Sequence, residues 1–215
     1  MSIISNNSAL IVIDVQNDFC PGGALEVEKG DEVIGPLNRL SRLFSARSGR
    51  IIATQDWHPG NHVSFASSHQ NKNPGDSIDL PGVKGQILWP DHCVQGKEGA
   101  GFHKSLEMNH TSLIIRKGFR TALDSYSAFF ENDRKTSTGL DGFLKALSID
   151  TLVLGGLATD YCVLYSALDA AALGYKTYAA GDAVRGVNYP PGSVERAHKL
   201  MEEAGVIIIN SGDLK

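Results

Sequence analysis

Six short apolar runs, rich in β-branched residues, recur along this chain and constrain its architecture more than any other feature. They are ALIVID (9–14), RIIAT (50–54), SLIIR (112–116), TLVLG (151–155), KTYAA (176–180) and VIII (206–209). Their apolarity is nearly continuous and does not alternate, which is the pattern of strands covered on both faces. Helical spacing fills most of the gaps. Val33, Leu37, Leu40 and Phe44 fall on one face, as do Leu140, Phe143, Leu144 and Leu147. Two further patterns, Tyr161–Leu173 and Val194–Ala204, each end at a glycine, Gly174 and Gly205, which favours a helix stop. Strands alternating with helices predict right-handed βαβ units. The expected fold is therefore α/β, a three-layer α/β/α arrangement around a doubly wound, mainly parallel, six-stranded sheet.

The 215 residues suit one domain spanning 1–215, and no linker, repeat or shift of composition divides them. One stretch, about 55–109, departs from the pattern. It is rich in His, Asn, Pro and Gly and has little regular period, and a loop region that long is usually functional. The net charge of −4 is mild and no basic stripe appears, so nucleic acid is not the expected partner. No run approaches the roughly 20 apolar residues of a membrane span, and the N-terminus lacks a signal-peptide pattern. Three cysteines, Cys20, Cys93 and Cys162, make no disulfide framework and suit a reducing compartment. A cytoplasmic location is the expectation. No G-x-G-x-x-G follows any strand, which argues against a dinucleotide site.

The polar residues at the ends of these runs carry the chemistry. Asp14 closes the first run, Lys117 lies just past SLIIR, and Cys162 follows TLVLGG where a helix begins. Ligands of open α/β sheets bind outside the C-terminal ends of the strands. A lone cysteine most often packs as a small hydrophobe, and a lone lysine is most often solvated. The joint arrival of an acid, a cation and a thiol at one sheet edge is a different matter. A helix N-terminus also favours a thiolate, the reactive form of cysteine. Asp56 and His58, on a loop after RIIAT, offer a carboxylate and an imidazole at i, i+2, with His62, His69 and His92 further on. Such donors suit zinc, iron or manganese. Cys20, before a Pro-Gly-Gly turn, and Cys93, beside His92, lack the strand–loop–helix setting and are read as structural.

The segments IDVQNDFCPGGAL, TQDWHPGNHVSF, WPDHCVQGKEGAGFH, RKGFRTALDSYSAFF and LGGLATDYCV, in this order over nearly the whole chain, resemble nicotinamidases of the isochorismatase-like cysteine hydrolase family. The resemblance implies a catalytic triad of Asp14, Lys117 and Cys162. It implies one divalent metal ion held by Asp56, His58 and His92, with His62 or Ser64 open as a further ligand and no role for His69. Phe19 and Trp89 match aromatic positions that sandwich a pyridine ring, and Tyr126 matches a position at the pocket wall. The Leu157–Ala158 peptide matches a cis bond that presents the Ala158 N–H to the substrate. The implied reaction turns nicotinamide, and pyrazinamide with it, into nicotinate and ammonia through a thioester, in NAD salvage. The implied partner is thus a small pyridine carboxamide, with the oligomeric state open, a homo-oligomer included. The alternative is a metal-independent amidohydrolase of the same fold acting on a carbamoyl or ureido substrate, which the metal triplet disfavours.

Overall fold

The computed structural model describes residues 3–214. Its main sheet takes strands β1 (Ser8–Ile13), β2 (Arg50–Asp56), β5 (Leu113–Lys117), β6 (Thr151–Leu157), β7 (Lys176–Arg185) and β8 (Ile207–Ile209). The order across the sheet is β5-β2-β1-β6-β7-β8, and every pair is parallel. The chain starts in the middle, grows to one edge, then returns and grows to the other. The turning point falls between β1 and β6, where such sheets open a crevice for ligands.

Burial follows from the alternation of side chains along each strand. Leu10 and Val12 face one layer, where they pack with Leu37, Leu40 and Phe44 of α1 (Ile34–Ala46). Ala9, Ile11 and Ile13 face the other. There they meet Leu140 and Leu144 of α2 (Leu140–Ala146), Ala167 and Ala170 of α3 (Leu164–Ala172), and Ala197 and Met201 of α4 (Ser193–Glu203). Both faces of β1 are covered, which is why its sequence shows no alternation. Gly156 makes the β1–β6 seam tight. It sits at φ 129°, and a Cβ there would lie 2.0 Å from the Ile13 carbonyl oxygen.

Three local features differ from the sequence reading, each for a physical reason. The 55–109 region contains a two-stranded antiparallel hairpin, β3 (Ser77–Leu80) and β4 (Val83–Ile87). Pro81-Gly82, with Gly82 at φ 81°, makes its turn, and its largely exposed strands lack the apolar run that flags a core strand. The helix expected from Tyr161 opens as a π-helical turn, Thr159–Val163, with the Val163 N–H reaching back five residues to the Ala158 carbonyl at 3.1 Å. Asp56 is the last residue of β2 rather than a loop residue, because the ladder to β5 runs on to pair it with Lys117. Among the described residues, no helix is long and apolar enough to cross a membrane.

Candidate active site

Three strand ends build the reactive cluster. Asp14 follows β1 in a left-handed conformation, φ 48°, which aspartate tolerates better than most residues. Its carboxylate is fully buried. The Thr54 hydroxyl donates to Asp14 Oδ1 at 2.6 Å and accepts from the Asp14 N–H at 3.2 Å. Lys117 ends β5 with no exposure at all. Its ammonium stands 2.8 Å from Asp14 Oδ2, contacts Asp56 Oδ1, donates to the Ser125 carbonyl at 2.9 Å and lies 3.3 Å from Cys162 Sγ. Cys162 is held by the π turn after β6. A carboxylate oxygen of Asp14 and the Cys162 sulfur lie within 4.8 Å of each other. All three residues singled out by their position in the sequence thus meet at one point.

The electrostatics set the resting protonation. Burial pushes the Asp14 carboxyl up to about 6, against the pull of Lys117. Burial would lower the Lys117 ammonium, but the facing carboxylates of Asp14 and Asp56 hold it well above the ordinary lysine value. Burial likewise drives the Cys162 thiol well above its usual range, and Lys117 only partly opposes this. The helix terminus therefore does not yield a standing thiolate. At neutral pH the cluster holds a thiol, an ionised carboxylate with raised proton affinity, and a fixed cation. Cys20 and Cys93 are also buried thiols pushed upward by desolvation, Cys20 to about 11. Neither is a rival nucleophile in this setting.

Beside the cluster lie three further ligand atoms. Asp56 Oδ2 is 3.6 Å from His58 Nε2 and 4.0 Å from His92 Nε2. Each histidine is turned by a carbonyl: Nδ1 of His58 lies 2.8 Å from the Gly118 oxygen, and Nδ1 of His92 lies 2.8 Å from the Pro90 oxygen. With Nδ1–H donated away, each Nε2 faces the same small space and in the neutral ring presents a lone pair there, the arrangement found behind metal-binding histidines. Burial would lower the His58 imidazole, but the Asp56 carboxylate holds it above its ordinary value, so there a cation competes with a proton. Burial drives the His92 imidazole down to about 4, toward the neutral form that binds metals. Two lone pairs and a carboxylate oxygen around one point are a donor set that a divalent cation completes. Gly118 makes the docking of His58 feasible. It has φ 62°, and a Cβ would fall 2.3 Å from the His58 ring.

His62 and Ser64 occupy a different position. His62 Nδ1 bonds Ser64 Oγ at 2.7 Å, its Nε2 faces the Leu123 carbonyl at 3.3 Å, and its ring stacks on His58. Its ligand atom groups with His58 and Asp124 rather than with Asp56 and His92. His69 is half-buried and bonds the Val63 carbonyl at 2.8 Å.

The cavity between cluster and metal ligands is lined by Phe19, Trp89, Tyr126, Ala158, Tyr161 and Val187, among others. Phe19 and His92 have ring centroids 5.5 Å apart, and the Trp89 indole N–H donates to the Tyr126 hydroxyl at 3.2 Å. The Leu157–Ala158 peptide is cis. Ala158 borders the cavity, whereas the Leu157 side chain does not. It packs in the core beneath, so only its peptide group belongs to the site. Sequence reasoning missed Thr54, Asp124, Tyr161, Val187 and Asp160. Asp160 accepts from the Val187 and Asn188 N–H groups at 3.0 and 2.8 Å and from the Ser193 hydroxyl. It thereby fixes the loop that brings Val187 to the cavity. Only the adjacency of Asp160 to Cys162 could have signalled it.

A thiol, a carboxylate and an ammonium gather at the turning point of a doubly wound sheet, the architecture of an α/β enzyme with its site at the strand ends. The isochorismatase domain model matches residues 8–213, and the chain belongs to that family. It is 48% identical to a nicotinamidase of Acinetobacter baylyi, over 98% of this chain and 95% of the relative. The solved structure of a nicotinamidase–pyrazinamidase from Acinetobacter baumanii superposes with a TM-score of 0.93 at 48% identity, covering 98% of this chain and 99% of that one. A pyrazinamidase of Pyrococcus horikoshii, solved in complex with zinc, matches with a TM-score of 0.77 at 35% identity, covering 95% and 99%.

Proposed function

We propose that this chain is a metal-dependent cysteine amidohydrolase, a nicotinamidase that converts nicotinamide and pyrazinamide to nicotinate or pyrazinoate and ammonia. The observation that carries the reading is the buried Lys117 ammonium, in contact at once with Asp14, Asp56 and Cys162, the last two of which border an aromatic-walled cavity. In this reading residues 1–215 act as one catalytic domain, and the 55–109 region supplies the metal ligands and Trp89. The buried, unpaired cysteines support a reducing, cytoplasmic setting, and the nicotinate formed there would feed NAD salvage.

The chain's own groups account for each proton. Asp14 takes the proton of the Cys162 thiol as substrate binds, and the sulfur attacks the carboxamide carbon. Lys117 holds carboxylate and sulfur together and carries the countercharge. The Ala158 and Cys162 N–H groups are the donors assigned to the developing oxyanion. Asp14 returns its proton to the leaving amine, so ammonia departs and a thioester to Cys162 remains. Asp14 then draws a proton from water, which attacks the thioester and releases the carboxylic acid product and the free thiol. Phe19 and Trp89 hold the ring between them. Asp56, His58 and His92 hold the divalent ion, which when bound supplies a Lewis acid to anchor the heteroaromatic nitrogen. This donor set favours the reading over the carbamoyl- or ureido-directed alternative.

The deciding assay is ammonia release from nicotinamide, pyrazinamide, benzamide and a ureido compound, with and without chelator, followed by metal analysis. Turnover confined to the ring-nitrogen amides and lost on chelation is expected. Turnover of the ureido compound in chelator would overturn it. The protonation pattern adds a pH test. Asp14 must be ionised to act as base, so kcat/KM should fall as the pH drops through about 6. A profile flat to pH 4.5 would remove Asp14 from that role, since the limb reports the free enzyme's essential base.

A further inference from the structure

The ladder between β1 and β2 stops at Val12–Ala53, two residues before Asp14 takes its left-handed conformation. The next residues of β2 would lose their neighbours there. A buried peptide group without a partner is costly, and two side chains replace the missing strand. Thr54 serves Asp14, as described. The second is Gln16, fully buried. Its Nε2 donates to the Asp56 carbonyl at 2.8 Å, and its Oε1 accepts from the Asp56 N–H at 2.8 Å. The remaining hydrogen on Nε2 goes to the Ala100 carbonyl at 2.9 Å. In a parallel strand one residue offers its N–H and C=O to the same side, and a carboxamide is the side-chain group that matches both. On the opposite side Asp56 is held by its pairing with Lys117.

The residue clamped in this way carries the carboxylate that two parts of the site share. Oδ1 faces Lys117, and Oδ2 faces His58 and His92. We propose that Gln16 is a positioning residue for the divalent-metal site: its carboxamide, paired with both peptide groups of Asp56, sets the carboxylate that the ion and Lys117 share. The inference rests on the metal reading above. Ionised glutamate cannot donate to the Asp56 carbonyl, and methionine can neither donate nor accept, so the full set of two donated bonds and one accepted bond belongs to the amide. Gln55 provides the contrast. It also donates to the Ala100 carbonyl, at 2.8 Å, but its oxygen accepts from the Arg116 side chain at 3.1 Å instead of from the Asp56 N–H.

The test is competition for Zn²⁺ or Mn²⁺ with a chromophoric chelator, using wild type, Gln16→Glu, Gln16→Met and Gln55→Met, with melting recorded with and without metal. Gln16→Met fills nearly the same volume without setting a charge against the Asp56 and Ala100 carbonyls, so it is the variant expected to fold, while ionised Gln16→Glu keeps only the acceptor for the Asp56 N–H. Both Gln16 variants should bind metal about 10- to 100-fold more weakly, the range for loss of an orienting partner. Their metal-dependent rise in Tm should shrink, and KM should increase more than kcat falls, with added metal restoring KM. Gln55→Met should keep the wild-type metal affinity. Unchanged metal affinity in Gln16→Met, whether or not its Tm drops, would reduce Gln16 to a structural residue and overturn the proposal. A wild type that binds no divalent ion would instead sink the metal reading itself.

Discussion

Cys162→Ala is expected to lower kcat on nicotinamide by about 10⁴- to 10⁶-fold, the scale seen when the nucleophile of a triad hydrolase is removed. The loss should be in the chemical step, because the aromatic walls, the metal ligands and the Lys117–Asp14 pair stay in place. No other thiol can step in. Cys20 lies in a turn with its thiol pushed to about 11, Cys93 is buried with its thiol pushed well above the usual range, and the Lys117 ammonium bonds the Cys162 sulfur rather than either of theirs. Cys162 itself is almost wholly enclosed, so trimming its sulfur leaves a small void, and the expected stability change is only about 1 kcal/mol. Ammonia release and a thermal melt on one preparation check both halves. Near wild-type turnover by a well-folded variant would refute the nucleophile assignment.

Lys117→Met should be as damaging to activity and far more damaging to the fold. Among the described residues its ammonium alone contacts both the Asp14 and the Asp56 carboxylate, and methionine fills the space without the charge. Removing one partner of a buried pair typically costs about 3–5 kcal/mol. The variant has an escape, since Asp14 already has a raised pKa and loses its main counterweight when Lys117 goes. It will take up a proton. A carboxyl that binds its proton more tightly in the folded than in the unfolded state is stabilising while protonated, and that stability is lost as pH rises through the folded pKa. The gap in Tm between variant and wild type should therefore be narrow near pH 5 and wide near pH 8. Turnover should stay low throughout, because a protonated Asp14 cannot accept the thiol proton. A stability gap that does not change with pH, or retained turnover at pH 8, would contradict the cluster.

The strands and the reactive triad could be read in advance because buried parallel strands demand unbroken apolarity, so a polar residue at the end of such a run stands out. Asp14, Lys117 and Cys162 were conspicuous for that reason. The histidines of the metal set were legible as residue types and through the family resemblance. Their orientation was not, since it depends on carbonyls of Gly118 and Pro90, and Gly118 in RKGFR gives no local sign that a histidine ring packs on it. Thr54 and Gln16 were hidden for a similar reason: each looks like an ordinary polar residue until the break in the β1–β2 ladder shows which peptide group it serves. The link from Asp56 to Lys117 was missed because the apolar run ends at Thr54, while the strand continues for two polar residues. The high proton affinity of Cys162 could not be inferred from its place at a helix terminus, because it comes from burial.

The seam between β1 and β6 divides the site by order of synthesis. Everything up to Lys117 brings Asp14, the ammonium and the Asp56–His58–His92 group, and the segment from Thr151 to Cys162 brings the sulfur. The two parts meet along one register, from Ser8–Thr151 to Ile13–Gly156, which sets the thiol beside Asp14 and Lys117. A chain with β1, β2 and β5 paired but this seam open keeps the carboxylates and the ammonium together and lacks the thiol. The proposed hydrolysis therefore depends on a single strand pairing.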